Sequence, residues 1–146
     1  MKSISLQSIV TEAPVVAIVR RPKVDAIRCI EHLFRIGIRL VEITMDTPGA
    51  VDILKTLGPR PGLYRVGFAA ETEDLRAQAQ QKLHAKQLDM IVANQVGVDG
   101  QGLASDFNAV TIVTPAGVVA EVPRLPKAEV AGRIWDAIDA GRNRGA

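Results

Sequence analysis

A chain of 146 residues, 47% apolar and 23% charged, suits one globular domain and excludes both a disordered polypeptide and a complete (β/α)8 barrel, which needs about 200–250 residues. Its 18 basic and 16 acidic residues leave a net charge of +2 with no Lys/Arg run, which excludes the phosphate-neutralising stripe of a nucleic-acid binder. A single cysteine, Cys29, excludes an internal disulfide and fits a reducing compartment.

Aromatic residues make up only 3%, so the expected core is Val, Ile, Leu and Ala. Pro14–Val19 reads as a strand buried on both faces. Val24, Ile27, Ile30, Leu33 and Phe34 fall at helical spacing, and Gly37 stands where a helix C-cap belongs. Leu40–Thr44 is a second strand. Thr47-Pro48 predicts an N-cap with proline in the first turn, and Val51, Leu54 and Leu57 follow before Gly58. Tyr64–Ala69 is a third strand, and Thr72 caps a helix to about Lys86 with a thin apolar face of Leu75, Ala79 and Leu83. Asp89–Ala93 is a fourth strand, followed by a Gly-, Ser- and Asp-rich loop to Asp106. Ala109–Thr114 and Val118–Val122, split by Pro115-Ala116-Gly117, predict a β-hairpin. Pro126 opens a last helix with Val130, Ile134, Trp135 and Ile138, closed by Gly141. This order predicts one α/β domain over 1–146, a three-layer Rossmann-like, mostly parallel sheet with a C-terminal hairpin and helix.

No apolar run approaches the ~20 residues of a membrane span. Met1–Ser8 lacks a signal-peptide pattern, so a cytoplasmic protein without a membrane partner is expected. Ligands of open parallel sheets bind beyond the carboxyl ends of the strands, which singles out Arg20, Glu42–Thr47, Phe68–Thr72 and Asn94. The GxGxxG fingerprint, the P-loop, HExxH and paired-Cys spacings are absent, so no metal site is expected. His32 and His84 read as helix-surface residues and Cys29 as an inert thiol. Glu42, inside a strand, is either a carboxylate of raised pKa fit for acid–base work or a partner of Arg20 or Arg39.

Residues 14–50, with Arg20, the GIRLVEIT strand and the TPGA turn, resemble the start of the 2-keto-3-deoxy-6-phosphogluconate aldolase family. That resemblance implies a catalytic role for Glu42 as acid/base, with Arg20 beside it. Many members have arginine at the place of Asp46. The family's Schiff-base lysine has no counterpart in the sequence that follows, so class I aldol chemistry lacks its electron sink.

Residues 52–140 are similar to the C-terminal part of the phosphopantothenate–cysteine ligase domain of the bifunctional coenzyme A biosynthesis protein. The stretches VDILKTLG, RPGLYRVGFAAETEDL, AQQKLHAKQLDMIVAN, GQGLASDFNAVTIV and EVPRLPKAEVAGRIWDAI carry it. The resemblance implies CTP as the nucleotide, Mg2+ accompanying it, and a homodimer. It assigns nucleotide contacts to Phe68, Lys82, Lys86, Asp52 and Asn94. The i,i+4 spacing of Lys82 and Lys86 puts both ammonium groups on one helix face, which serves a triphosphate or simply faces solvent. Leu103-Ala104 and Pro126 depart from the family pattern. The Thr-x-Gly-Gly loop, the Asn-Arg-Ser-Ser-Gly stretch and the Lys-rich loop of the ligase's other half have no match in these residues.

The two resemblances meet near Gly49–Leu57, which predicts a chimera whose two parts (1–50 and 51–146) share one fold. Three readings stay open: a ligase-derived CTP-binding module, an aldolase-like lyase remnant, and a fold chimera without catalytic activity.

Overall fold

The computed structural model describes residues 15–71, 74–96 and 105–144, and these fall into two compact units that divide between Arg60 and Pro61. The expected cap Thr72 and the loop residues 97–104, with Leu103-Ala104, lie outside the described residues.

In the first unit, β1 (Val16–Val19), α1 (Ala26–Arg35), β2 (Leu40–Ile43) and α2 (Ala50–Leu57) follow in order, and β1 pairs parallel with β2 from Val16↔Leu40 to Val19↔Ile43. Asp25 starts α1 by accepting the Arg28 N–H on its carboxylate at 2.8 Å, which leaves Val24 outside the helix. The chain leaves α1 through Gly37 at φ +99°, a left-handed position where glycine carries no Cβ penalty. Ile30 is the fully buried anchor of this helix.

Two expectations are corrected here. The strand VVAIV is not buried on both faces: Val16 and Ile18 are 53% and 62% exposed. A two-stranded parallel pair with α1 packed on β1 has cover for only one face. Thr47 does not cap α2. The helix begins three residues later behind Gly49 at φ +72°, because the Thr47 hydroxyl is committed elsewhere. It accepts the Arg21 N–H at 3.0 Å and donates to the Val19 carbonyl at 3.4 Å, tying the loop after β2 to the end of β1.

The second unit contains β3 (Val66–Glu71), α3 (Leu75–Ala85), β4 (Met90–Gln95), β5 (Phe107–Thr114), β6 (Gly117–Pro126) and α4 (Lys127–Arg144). The strands form one sheet in the order β3-β4-β5-β6; β3 and β4 run parallel, and β4–β5 and β5–β6 are antiparallel. The parallel pairings thus lie in two separate sheets, with the predicted hairpin and helix completing an α/β fold. Met90–Ala93 and Val110–Val113 are buried at every position, as strands covered on both faces must be. α3 covers one face with Ala79 and Leu83, and α4 covers the other with Val130, Ile134 and Ile138.

Two side-chain arrangements explain local sequence choices. Gly67 sits under Leu88, whose Cδ1 would lie 2.5 Å from a β-carbon at that position. Arg65, with an 8% exposed side chain, grips Asp89 through Nε at 3.1 Å and Nη2 at 3.4 Å, while its backbone N–H donates to the same carboxylate at 2.7 Å. This clamp joins the starts of β3 and β4. The last helix departs from expectation at both ends. Pro126 is the final residue of β6, and α4 continues through Gly141 to Arg144. Gly141 is a packing residue rather than a cap, since the Tyr64 ring fills the place of its side chain.

Candidate functional site

The carboxyl ends of β3 and β4 carry the residues best placed for ligand chemistry. On the α4 side of the sheet, Phe68, Ala70, Val92, Asn94, Asn108, Val110 and Ile134 line an open groove of about 320 Å³. The strand register explains the grouping: Phe68 pairs with Val92 and Ala70 with Asn94, so alternate residues of both strands point to one face. Phe68 is 70% exposed and offers its ring to solvent within a largely apolar wall. Asn94 is the polar counterpart. Its amide oxygen is buried and has no hydrogen-bond partner among the described residues. An unpaired buried acceptor is costly unless something donates to it, which makes this atom the most informative in the groove.

Lys82 belongs to the other face. Its ammonium donates to Glu71 at 2.5 Å, and Glu71, the last residue of β3, points toward α3. Lys86 follows one turn later at the C-cap of α3. The expected nucleotide residues are thus divided: Phe68 and Asn94 share the groove, Lys82 stands on α3 across the sheet with its ammonium at Glu71, and Lys86, four residues before β4 begins, lies toward the amino ends of the strands. Asp52 is exposed in the first turn of α2, in the first unit.

The two residues of the aldolase-like expectation are placed apart in their bonding. Glu42 is exposed on β2 opposite Ile18. Neither of its expected partners is with it: Arg20 bonds Asp46 through Nε at 3.0 Å, and Arg39 donates to the Phe34 carbonyl at 3.3 Å. Arg21 joins the same cluster, with Nε 3.3 Å from Asp46 Oδ2. The Thr44 hydroxyl above all, with lesser help from the Arg20 and Arg21 guanidinium groups, holds the Asp46 carboxyl below the ordinary carboxylate range against the opposing effect of desolvation. His32 and His84 are exposed, as expected. Among the described residues no group of three or more His, Cys, Asp or Glu could hold a metal ion, and no helix is long and apolar enough to cross a membrane.

Sequence reasoning singled out the segments that hold Glu71 and Asp46 without seeing their ion pairs, and it missed Asn108. The first two follow a strand signal, so their position was visible but their pairing was not.

Comparison with known proteins bears on the same region. The model of the family described as DFP, DNA/pantothenate metabolism flavoprotein C-terminal domain, matches residues 39–141. That match begins inside the segment resembling an aldolase, so residues 39–50 fall under both. The coenzyme A biosynthesis bifunctional protein CoaBC of Bacillus subtilis (strain 168) is 43% identical over 99 residues, covering 67% of this chain and 24% of that protein. CoaBC of Vibrio vulnificus (strain YJ016) is 50% identical over 54 residues, covering 37% of this chain and 14% of that one. The crystal structure of the C-terminal domain of CoaBC is similar with a TM-score of 0.58 and 26% identity, over 90% of this chain and 77% of that chain. The chain spans about a quarter of the Bacillus subtilis relative's length.

Proposed function

Since the chain belongs to the family of the DNA/pantothenate metabolism flavoprotein C-terminal domain, we propose that it is a ligase-type domain of coenzyme A biosynthesis that binds CTP along the carboxyl edge of β3 and β4. The observation that carries this reading is the pairing of an exposed aromatic ring, Phe68, with the unpartnered buried oxygen of Asn94 in one groove. A pyrimidine stacks on the ring, and the Asn94 oxygen accepts from the exocyclic amino group that cytosine has and uracil lacks. The triphosphate crosses the strand ends toward Lys82, whose ammonium group meets it, with Lys86 one turn further along α3. Mg2+ travels on the phosphates rather than in a protein cage, in keeping with the few protein ligands this ion usually takes.

The proposal extends to a homodimer through the hairpin, because β6 is an edge strand with Val118 and Val119 exposed. Sedimentation of the intact chain tests it; a monomer at every concentration rejects that part.

Isothermal titration of the full chain tests the nucleotide reading. CTP should release heat, UTP should bind more weakly because its O4 meets the Asn94 oxygen, and Phe68→Ala should abolish the signal. An absence of heat with millimolar CTP overturns the reading.

A further inference from the structure

The GFAAET stretch carries a carboxylate, Glu71, that the nucleotide reading leaves without a task. Glu71 closes β3, its side chain is only 4% exposed, and it accepts a hydrogen bond from the Lys82 ammonium at 2.5 Å. Its backbone carbonyl accepts the Val96 N–H at 3.0 Å, carrying the β3–β4 pairing past Gln95. Packing does not require a charge here. Ala79 and Leu83 already seat α3 against the sheet, and an apolar residue at 71 would be buried without any desolvation of a carboxylate. Buried ion pairs are weak ground for stability, and their best-attested use is to fix one geometry.

The geometry fixed in this case is that of Lys82. Side chains on a helix lean toward its N-terminus, so Lys82 reaches back along α3 to the carboxyl end of β3. An ammonium group has three N–H donors. One goes to Glu71, and the 41% exposed Lys82 side chain keeps solvent-facing surface for another ligand. Asn94 stands at the same edge, paired with the residue before Glu71.

We propose that Glu71 is a positioning residue of the nucleotide site: it tethers the Lys82 ammonium at the strand edge and leaves its remaining donors for the phosphate oxygens of the ligand. This rests on the nucleotide reading above. Tethering removes rotamer freedom that a long side chain otherwise loses on binding, so its loss should weaken CTP binding about three- to tenfold. Simple charge arithmetic predicts the opposite sign, because removing a carboxylate near a polyphosphate raises the local positive potential. The direction of the change therefore separates the two accounts.

The test is calorimetric titration of the full chain with CTP and with cytidine in Mg2+-containing buffer, for the wild type, Glu71→Gln, Glu71→Asp, Lys82→Ala and the Glu71→Gln/Lys82→Ala double variant. The expected result is a weaker affinity for CTP in Glu71→Gln, an unchanged affinity for cytidine, and no further loss when Glu71→Gln is added to Lys82→Ala. Equal or tighter CTP binding by Glu71→Gln, in a wild type that binds CTP, overturns the positioning role and leaves the nucleotide reading intact. A wild type that binds no CTP removes both. Should Glu71→Gln not fold, Glu71→Asp decides: it keeps the charge but withdraws it by one methylene, and unchanged CTP affinity there also overturns the role.

Discussion

The side chain of Tyr64 fills the space that a β-carbon on Gly141 would need, with its hydroxyl oxygen 2.1 Å from that point. The residue just before Arg65 and the last turns of α4 are thereby locked together inside the second unit. Helix propensity favours alanine over glycine by about 1 kcal/mol, whereas overpacking costs about 1–3 kcal/mol. Gly141→Ala is therefore expected to destabilise by about 1 kcal/mol net. In a Tyr64→Leu background, where the hydroxyl and ring are gone, the same substitution should become stabilising. Urea denaturation of the four variants measures this, and a stabilising Gly141→Ala in the wild-type background contradicts the packing account.

Arg65 is buried and relies on Asp89 for both a side-chain ion pair and a cap on its backbone N–H. One guanidinium nitrogen, Nη1, already lacks a partner among the described residues. Asp89→Ala would strand the whole buried cation. The expected loss is about 3 kcal/mol, at the low end for broken buried pairs because Asp89 is 31% exposed. A midpoint shift corresponding to less than about 1 kcal/mol, the size of a surface pair, would show that the clamp is not needed.

Thr47 is a buried hydroxyl between two loops, accepting from Arg21 and donating to Val19. Arg21 stands at φ +42°, a conformation costly for a residue with a side chain. Thr47→Val keeps the shape but leaves the Arg21 N–H unpaired, a penalty of about 1–3 kcal/mol. Thr47→Ser restores the hydroxyl and should recover most of the stability. Thermal melts of the two variants check this, and equal destabilisation by both would assign the effect to packing instead.

Asp46 provides the pH dependence. The Thr44 hydroxyl and the Arg20 and Arg21 guanidinium groups depress its folded pKa below the ordinary carboxylate value. A carboxylate with a depressed folded pKa contributes stability that is present above the unfolded pKa, about 4, and is lost as pH falls through the lower folded value. Melting temperatures should fall on acidification below about pH 4, and Asp46→Asn should flatten part of that decline. An identical acid profile in Asp46→Asn would assign the loss to other carboxylates.

Apolar spacing alone made much of the fold legible. The four parallel-type strands, the thin face of Ala79 and Leu83, the hairpin and the C-cap at Gly37 follow from local periodicity and backbone chemistry; each lies within a residue or two of its expected place, except that β6 runs four residues further, to Pro126. Phe68 and Asn94 were also singled out as residues near strand ends; both lie inside β3 and β4, and the structure brings them into one groove. The bonding of the charges was not legible. Arg20 chose Asp46, 26 residues away, over Glu42, and Lys82 chose Glu71.

The division has a physical cause. Periodicity and turn chemistry act over a few residues, so the sequence by itself determined where strands and helices lie and which face of each is apolar. Charge pairing depends on which strand ends meet in space, and a chain with 18 basic and 16 acidic residues offers many electrostatically equivalent partners. Only the tertiary structure chose among them. It also decided that Thr47 would bridge two loops instead of capping a helix, and that Gly141 would yield its side-chain space to Tyr64.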